Sequence, residues 1–179
     1  ASVFEVARVS PFAKGSRELG VSIGAGPSTA ILGSTIGHDI TLAVLRSGLT
    51  LSGALARETY REGHWELLGE FFAGAQYNPR VRYLAGVLPL FRYNFTAREP
   101  LVPFIDVGAG VMLTDIYGPD LSGAFQFNEQ VGVGAHYLFS DSTALTVQYR
   151  FMHVSNAGIR EPNYGVNGNI FSVGITWFF

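Results

Sequence analysis

The sequence predicts an all-β chain folded as an eight-stranded antiparallel transmembrane β-barrel, and three observations carry that expectation. Apolar residues alternate with polar or small ones at period two, in segment after segment, rather than recurring at helical spacing. Charged residues make up only 15%, aromatics reach 13%, glycines number 22 and mean hydropathy is +0.23, a balance that places apolar groups on the outside. No uninterrupted apolar run approaches the roughly 20 residues of a membrane helix, so a membrane-facing surface has to be built from strands.

Taken in order, Glu18 to Ala25 reads as the first strand, and a second lies within Asp39 to Ala56, where the alternation is less clean. The third places Trp65, Leu67, Phe71, Ala73 and Tyr77 on one face against Glu66, Glu70, Gly74 and Gln76 on the other. Tyr83 to Phe95 follows with Arg92 and Asn94 on its minority face, then Pro103 to Leu113 with Asp106, Gly108 and Gly110, then Phe125 to Leu138 with Gln126, Gln130 and His136. Leu145, Val147, Tyr149 and Phe151 oppose Ala144, Thr146, Gln148 and Arg150 in the seventh. Phe171, Val173, Ile175, Trp177 and Phe179 oppose Ser172, Gly174 and Thr176 in the last. Strands of about 9–13 residues match what a membrane barrel requires, and eight of them enclose an interior just wide enough for side chains. A soluble eight-stranded barrel would turn the apolar face inward around a cavity. Glu66, Glu70 and Arg92 together on the minority face, with Tyr, Trp and Phe at the strand ends, favour the inside-out form.

The terminal Trp177-Phe178-Phe179 resembles the aromatic C-terminus of bacterial outer-membrane proteins, which sets the expected location. Residues 1–16 are expected to be an N-terminal periplasmic segment and residues 17–179 the barrel. The chain opens at Ala1 with no basic-then-apolar leader, as expected if a signal peptide has been removed. Net charge is −2, from 12 Lys+Arg against 14 Asp+Glu, with no basic cluster, which excludes a nucleic-acid partner. Cysteine is absent, so disulfides, thiol nucleophiles and Cys-based metal sites are excluded. The scattered His38, His64 and His136 show no metal-ligand spacing, and no cofactor is expected.

With both termini in the periplasm, the short Ser140-Asp141-Ser142 link is an inner turn, and the seventh strand ascends to the outer surface. At its outer end stand His153 and Ser155, two residues apart and, by alternation, on the lipid-facing side with Leu145 to Phe151. A polar pair is costly there, and ionisable groups at membrane depth point to function. The bland alternative is a pair of residues at headgroup level. The chemical one is an imidazole that takes the serine proton so that Oγ attacks an ester carbonyl, with a third group orienting the ring. If Phe139 faces Thr143 across the inner turn, Glu129 falls opposite His153. If Gly165 faces Ser155, Asn167 falls opposite His153 on the other side. Neighbouring strands are about 4.8 Å apart, so either side chain reaches the ring.

The stretch "HVSNAGIREPNYGVN", together with "PFIDVGAGV" and "FNEQVGVG", resembles the lipid A 3-O-deacylase family, the PagL-like acyloxyacyl hydrolases. The resemblance is densest in the C-terminal half, extends back to Arg17 and leaves Ala1 to Ser16 outside it. It implies an outer-membrane esterase that removes the 3-position hydroxyacyl chain from the lipid A of lipopolysaccharide in the outer leaflet. His153 is then the base and Ser155 the nucleophile, with Asn156 and the backbone N–H groups of Ala157 and Gly158 as oxyanion donors. The sequence departs from the family where its acid, a glutamate, aligns with Asn167. An asparagine fixes the tautomer without supplying charge, and Glu129 is the candidate source of that charge. Arg80, Arg82 and Arg160 fall in outer loops, where they face either lipid A phosphates or solvent. Ser155 lies in no Gly-x-Ser-x-Gly elbow, which argues against an α/β-hydrolase. The alternatives are a non-enzymatic structural or adhesion barrel and a phospholipase using the same pair. A homodimer is compatible with the reading.

Overall fold

The computed structural model describes residues 10–179. Eight strands run β1 (Arg17–Gly26), β2 (Asp39–Thr50), β3 (Gly63–Asn78), β4 (Arg82–Phe95), β5 (Leu101–Thr114), β6 (Phe125–Ser140), β7 (Thr143–Ser155) and β8 (Val166–Phe178). Each pairs antiparallel with the next, and β8 closes on β1 as a barrel. The expected fold class is the one observed.

Alternation sorts the side chains as the period-two pattern requires. Val21, Leu45, Phe71, Phe91, Val107, Val133, Val147 and Phe171 are exposed around the outside. The waist of the interior is ionic: Glu70 accepts from Arg46 Nε at 2.7 Å and from Arg150 Nη1 at 2.5 Å. Asp106 Oδ2 accepts from Arg92 Nη2 at 2.9 Å, Arg150 Nη2 at 3.1 Å and Gln148 Nε2 at 2.7 Å. Charges enclosed in a membrane protein persist only when paired in this way. Above this layer the interior is apolar, with Ile40, Leu42, Phe72, Leu88, Met152 and Ile170 packed together. That layer explains the blurred alternation of β2, whose outer half carries apolar residues on both faces. Reporters placed at Leu145, Val147, Phe171 and Val173 are therefore expected to be quenched by a membrane-phase quencher, and reporters at Glu70 and Arg92 to be protected. The reverse pattern would mean that the apolar face lines a cavity.

Two departures from the sequence expectation concern the connections between strands. The turn after β6 pairs Ser140, not Phe139, with Thr143, and an irregularity between Leu138 and Ser140 absorbs the extra residue. Pairing beyond it therefore keeps the expected register. The inner connections are not uniformly short, since residues 51–62 join β2 to β3, while the outer connection 79–81 is brief. The long inner link is organised: Leu51 N–H donates to Trp65 O and Leu55 bridges Gly63. Within residues 10–16, Phe12 is fully buried at the inner end of the barrel, 5.0 Å from the Phe178 ring and against His136. Residues 1–9 lie outside the described residues.

Candidate active site on the outer wall

Strand β7 delivers His153 and Ser155 to the outer wall, both half-buried, near its outer end. β6 places Glu129 opposite His153, and β8 places Asn167 opposite His153 from the other side. Of these two neighbours, Asn167 bonds the ring: its Oδ1 lies 2.7 Å from His153 Nδ1. The asparagine amide is itself oriented, because its Nδ2 donates to Ile31 O at 2.6 Å. Its oxygen must then face the ring, which makes Nδ1 the protonated nitrogen and leaves the Nε2 lone pair free. Glu129 is exposed and makes no hydrogen bond or ion pair with His153 in this structure. Ser155 Oγ is on the same face as the ring, with no hydrogen bond yet joining them, a looseness common before substrate tightens a site.

Asn167 is completely buried although it points outward from the barrel. The cause is the β1–β2 loop (residues 27–38), which folds down over the outer end of β8. Thr29 N–H donates to Asn167 O at 2.8 Å, Asn169 N–H donates to Pro27 O at 2.9 Å, and Asn169 Nδ2 donates to Thr29 Oγ1 at 2.6 Å. Without this cover the amide would be solvated and free to turn. The loop has no hydrophobic periodicity, so the sequence pattern carries no sign of it.

Behind the ring stands Gly165, at a φ of +84°, a conformation that side chains resist. A Cβ there would come within 2.8 Å of His153 Cε1. Gly165→Ala is accordingly expected to strain the backbone and push the imidazole off Asn167, lowering kcat by on the order of 10²-fold with a smaller effect on KM. A steady-state comparison in detergent micelles checks it, and an unchanged kcat would show that the ring has room to move.

The remaining expected site residues divide. Asn156 does not present its side chain to the pair: its Nδ2 donates to Ser122 O at 2.9 Å and Arg160 O at 2.7 Å, and its backbone N–H goes to Asn163 Oδ1 at 2.8 Å. It braces the β7–β8 loop (residues 156–165), and its amide protons are committed there in this structure. Ala157 and Gly158 form a tight turn with φ of +53° and +79°, closed by Ile159 N–H to Asn156 O at 3.1 Å. A non-glycine residue at positive φ is uncommon, and among the described residues the Ala157 and Gly158 N–H groups donate to no backbone or side-chain acceptor. They are therefore available as donors beside Ser155. Arg160 is exposed in the same loop. Arg80 and Arg82 are not brought to the pair: they sit at the β3–β4 connection, across the barrel mouth from β7 by strand order, and Arg82 lies 4.0 Å from Asp115. Adjacency to an outer loop in sequence was a poor guide to adjacency around the ring of strands.

His38, scattered in the sequence, is buried against Asp120 of the β5–β6 loop (residues 115–124), its Nε2 3.0 Å from Oδ2. Burial pushes the Asp120 carboxyl upward, but donors from Thr35, Ile36 and His38 outweigh it and hold it below the usual carboxylate value. A depressed carboxylate contributes fully above its unfolded pKa and is lost as pH falls through its folded one. The loops it joins therefore stay closed through the ordinary carboxylate range and loosen only below it.

The fold and the site together define a class: eight-stranded outer-membrane barrels that carry a histidine, fixed in its tautomer by an asparagine, and a serine on one face of the outer wall. Residues 46–176, a span containing His153, Ser155 and Asn167, match the family described as lipid A 3-O-deacylase (PagL), and the chain belongs to that family. It is 28% identical over 107 residues to the lipid A deacylase PagL of Pseudomonas aeruginosa, covering 58% of each chain. It is 30% identical over 100 residues to that of Bordetella bronchiseptica, covering 54% of this chain and 52% of the relative. The match thus spans little more than half the length of these curated relatives. In fold, the chain is similar to the crystal structure of the outer membrane enzyme PagL, with a TM-score of 0.62 at 18% identity over 87% of this chain and 97% of that one. Neisserial surface protein A is similarly related, with a TM-score of 0.65 at 15% identity over 93% and 100%. Family and fold together make this a bacterial outer-membrane protein.

Proposed function

We propose that the chain is a serine esterase that removes the 3-position ester-linked hydroxyacyl chain from lipid A of lipopolysaccharide in the outer leaflet. The observation that carries the proposal is the Asn167–His153 hydrogen bond, which leaves the basic Nε2 on the same outward face as Ser155. In the first step the Ser155 hydroxyl proton passes to Nε2 while Oγ bonds to the ester carbon, and the carbonyl π electrons move to oxygen. The amides of Ala157 and Gly158 receive that oxyanion, a contribution of about 2.7–4 kcal/mol per well-placed donor. The intermediate collapses by breaking the bond to the sugar 3-oxygen, which takes the proton from Nε2. Water then enters and gives one proton to Nε2 as its oxygen bonds to the acyl carbon; the bond from that carbon to Oγ breaks, Oγ takes the proton back from Nε2, and the hydroxy acid leaves.

Placement on the outer wall suits this substrate. An acyl chain already lies parallel to the strands in the leaflet, so its ester reaches the pair without leaving the membrane. Arg160 in the β7–β8 loop is positioned to meet a lipid A phosphate, with Arg80 and Arg82 able to contact only the far side of a large headgroup. Mass spectrometry of lipopolysaccharide incubated with the protein tests the reading: loss of one hydroxyacyl chain is expected, and an unchanged spectrum would favour a barrel with no hydrolytic role.

A further inference from the structure

Asp120 takes no part in the reaction as proposed, yet it is the most heavily bonded loop side chain of the outer end. Its Oδ1 accepts from Thr35 N–H at 2.8 Å and from Thr35 Oγ1 at 2.5 Å. Its Oδ2 accepts from Ile36 N–H at 3.1 Å and His38 Nε2 at 3.0 Å, with Ser34 Oγ also at 3.1 Å. Its backbone carbonyl accepts from Tyr164 N–H at 2.8 Å and Gly165 N–H at 3.1 Å. One residue of the β5–β6 loop thus ties the β1–β2 loop to the β7–β8 loop. His38 is held on its other side by Gln76 Oε1 at 2.5 Å, and Gln76 Nε2 is committed to Arg80 O at 2.9 Å. Two oxygens therefore bracket the ring, one from each neighbouring side chain.

Both loops that Asp120 joins end at His153. The segment Ser34–Ile36, gripped by the carboxylate, is three residues from Ile31, whose carbonyl orients Asn167; Ser34 N–H donates to Ile31 O at 3.1 Å. Gly165, gripped by the backbone carbonyl, lies against the imidazole from behind. A carboxylate completely buried under exposed loops has a desolvation cost, and it is met here by donors all drawn from one loop.

We propose that Asp120 is a positioning residue for the esterase: it clamps the β1–β2 loop over Asn167 and Gly165 behind His153, and so fixes the ring tautomer that catalysis needs. The inference rests on the reading of His153 and Ser155 as base and nucleophile. Asp120 touches neither the substrate nor the reacting atoms. Its influence reaches the ring only through Ile31, Asn167 and Gly165.

The test compares Asp120→Ala and Asp120→Asn with the wild-type full chain in detergent micelles, and adds Thr35→Val, which deletes one donor, in case the first two fail to fold. Folding is read from resistance of the barrel to heat in SDS. Expected are a fall in kcat on the order of 10–10²-fold for Asp120→Ala with KM nearly unchanged, and a smaller fall for Thr35→Val. In an Asn167→Ala background, Asp120→Ala is expected to add less than about twofold, since both act through one amide. The ¹⁵N shifts of the His153 ring supply a readout that needs no substrate: the wild type should show a protonated Nδ1, and Asp120→Ala a mixture of tautomers. Wild-type kcat with an undisturbed ring signal, or a full multiplicative loss on top of Asn167→Ala, would overturn the proposal. Failure of the esterase reading looks different, because the wild type itself would then release no hydroxyacyl chain and Ser155 would not be labelled by a fluorophosphonate, while the ring signal would still decide whether Asp120 positions His153.

Discussion

Ser155→Ala is expected to abolish release of the hydroxyacyl chain, with a loss in kcat on the order of 10⁶-fold, the scale seen when a serine hydrolase loses its nucleophile. The barrel should be untouched. Ser155 is half-buried on the outer face, and its side chain takes no part in the interior network and makes no hydrogen bond among the described residues, so its stability change should stay within about 0.5 kcal/mol. His153→Ala is expected to match it, because without a base the hydroxyl keeps its proton. The double variant should be no slower than either single one, since the two side chains perform one proton transfer between them. Rates are measured on purified lipopolysaccharide by following free hydroxy fatty acid. Substantial residual turnover in Ser155→Ala would remove serine nucleophilic catalysis from the mechanism, and a loss accompanied by a heat-labile barrel would mean that the residue is structural.

The barrel and the neighbours of His153 were legible in the sequence because both follow from local rules. Period-two alternation sets which face each strand shows to lipid, and short turns set register, so Glu129 and Asn167 could be placed opposite His153 by counting from Phe139–Thr143 and Gly165–Ser155. Even the misplaced turn pairing did no harm, since the irregularity beside Ser140 restores the count. What counting could not supply is anything decided by loops. Asn167 and Glu129 were equivalent by register, and the difference between them is made by residues 27–38, which cover one and leave the other in the open. Asn156 was assigned by residue type, whereas its amide protons are committed to Ser122 O and Arg160 O, partners up to 34 positions away. Asp120 and His38 gave no signal because their bond joins loops 82 residues apart. Loop contacts have no period, and a non-local pair of polar residues looks, in one sequence, like any two solvated side chains.

Which group serves His153 is decided by three substitutions, of which Asn167→Ala has the largest expected effect. Removing the amide takes away the acceptor 2.7 Å from Nδ1 and also the donor that holds Ile31 O, so the ring loses its tautomer and the loop its anchor together. A fall in kcat on the order of 10²–10³-fold is expected, below the about 10⁴-fold cost of reversing the tautomer in a serine protease, because alanine permits the productive tautomer without enforcing it. Asn167→Asp separates the two contacts. The carboxylate keeps the bond to Nδ1 and strengthens it by charge, about 1.5–3 kcal/mol against about 1 for the neutral bond. Its second oxygen then meets Ile31 O, an acceptor facing an acceptor, which the exposed loop relieves by moving away. Activity is expected within about tenfold of wild type, since the charge gained at the imidazolium offsets the disorder of the loop, and the loop itself should become cleavable by protease. This asymmetry gives a physical reason for asparagine here: it is the residue that can accept from the ring and donate to the covering loop at once. Glu129→Gln should change kcat by less than about threefold, because Glu129 faces His153 across the β6–β7 ladder without bonding it, while Asn167 already occupies Nδ1. A large loss in Glu129→Gln with a wild-type rate in Asn167→Ala would reverse the assignment and make the glutamate the partner of the ring when substrate is bound.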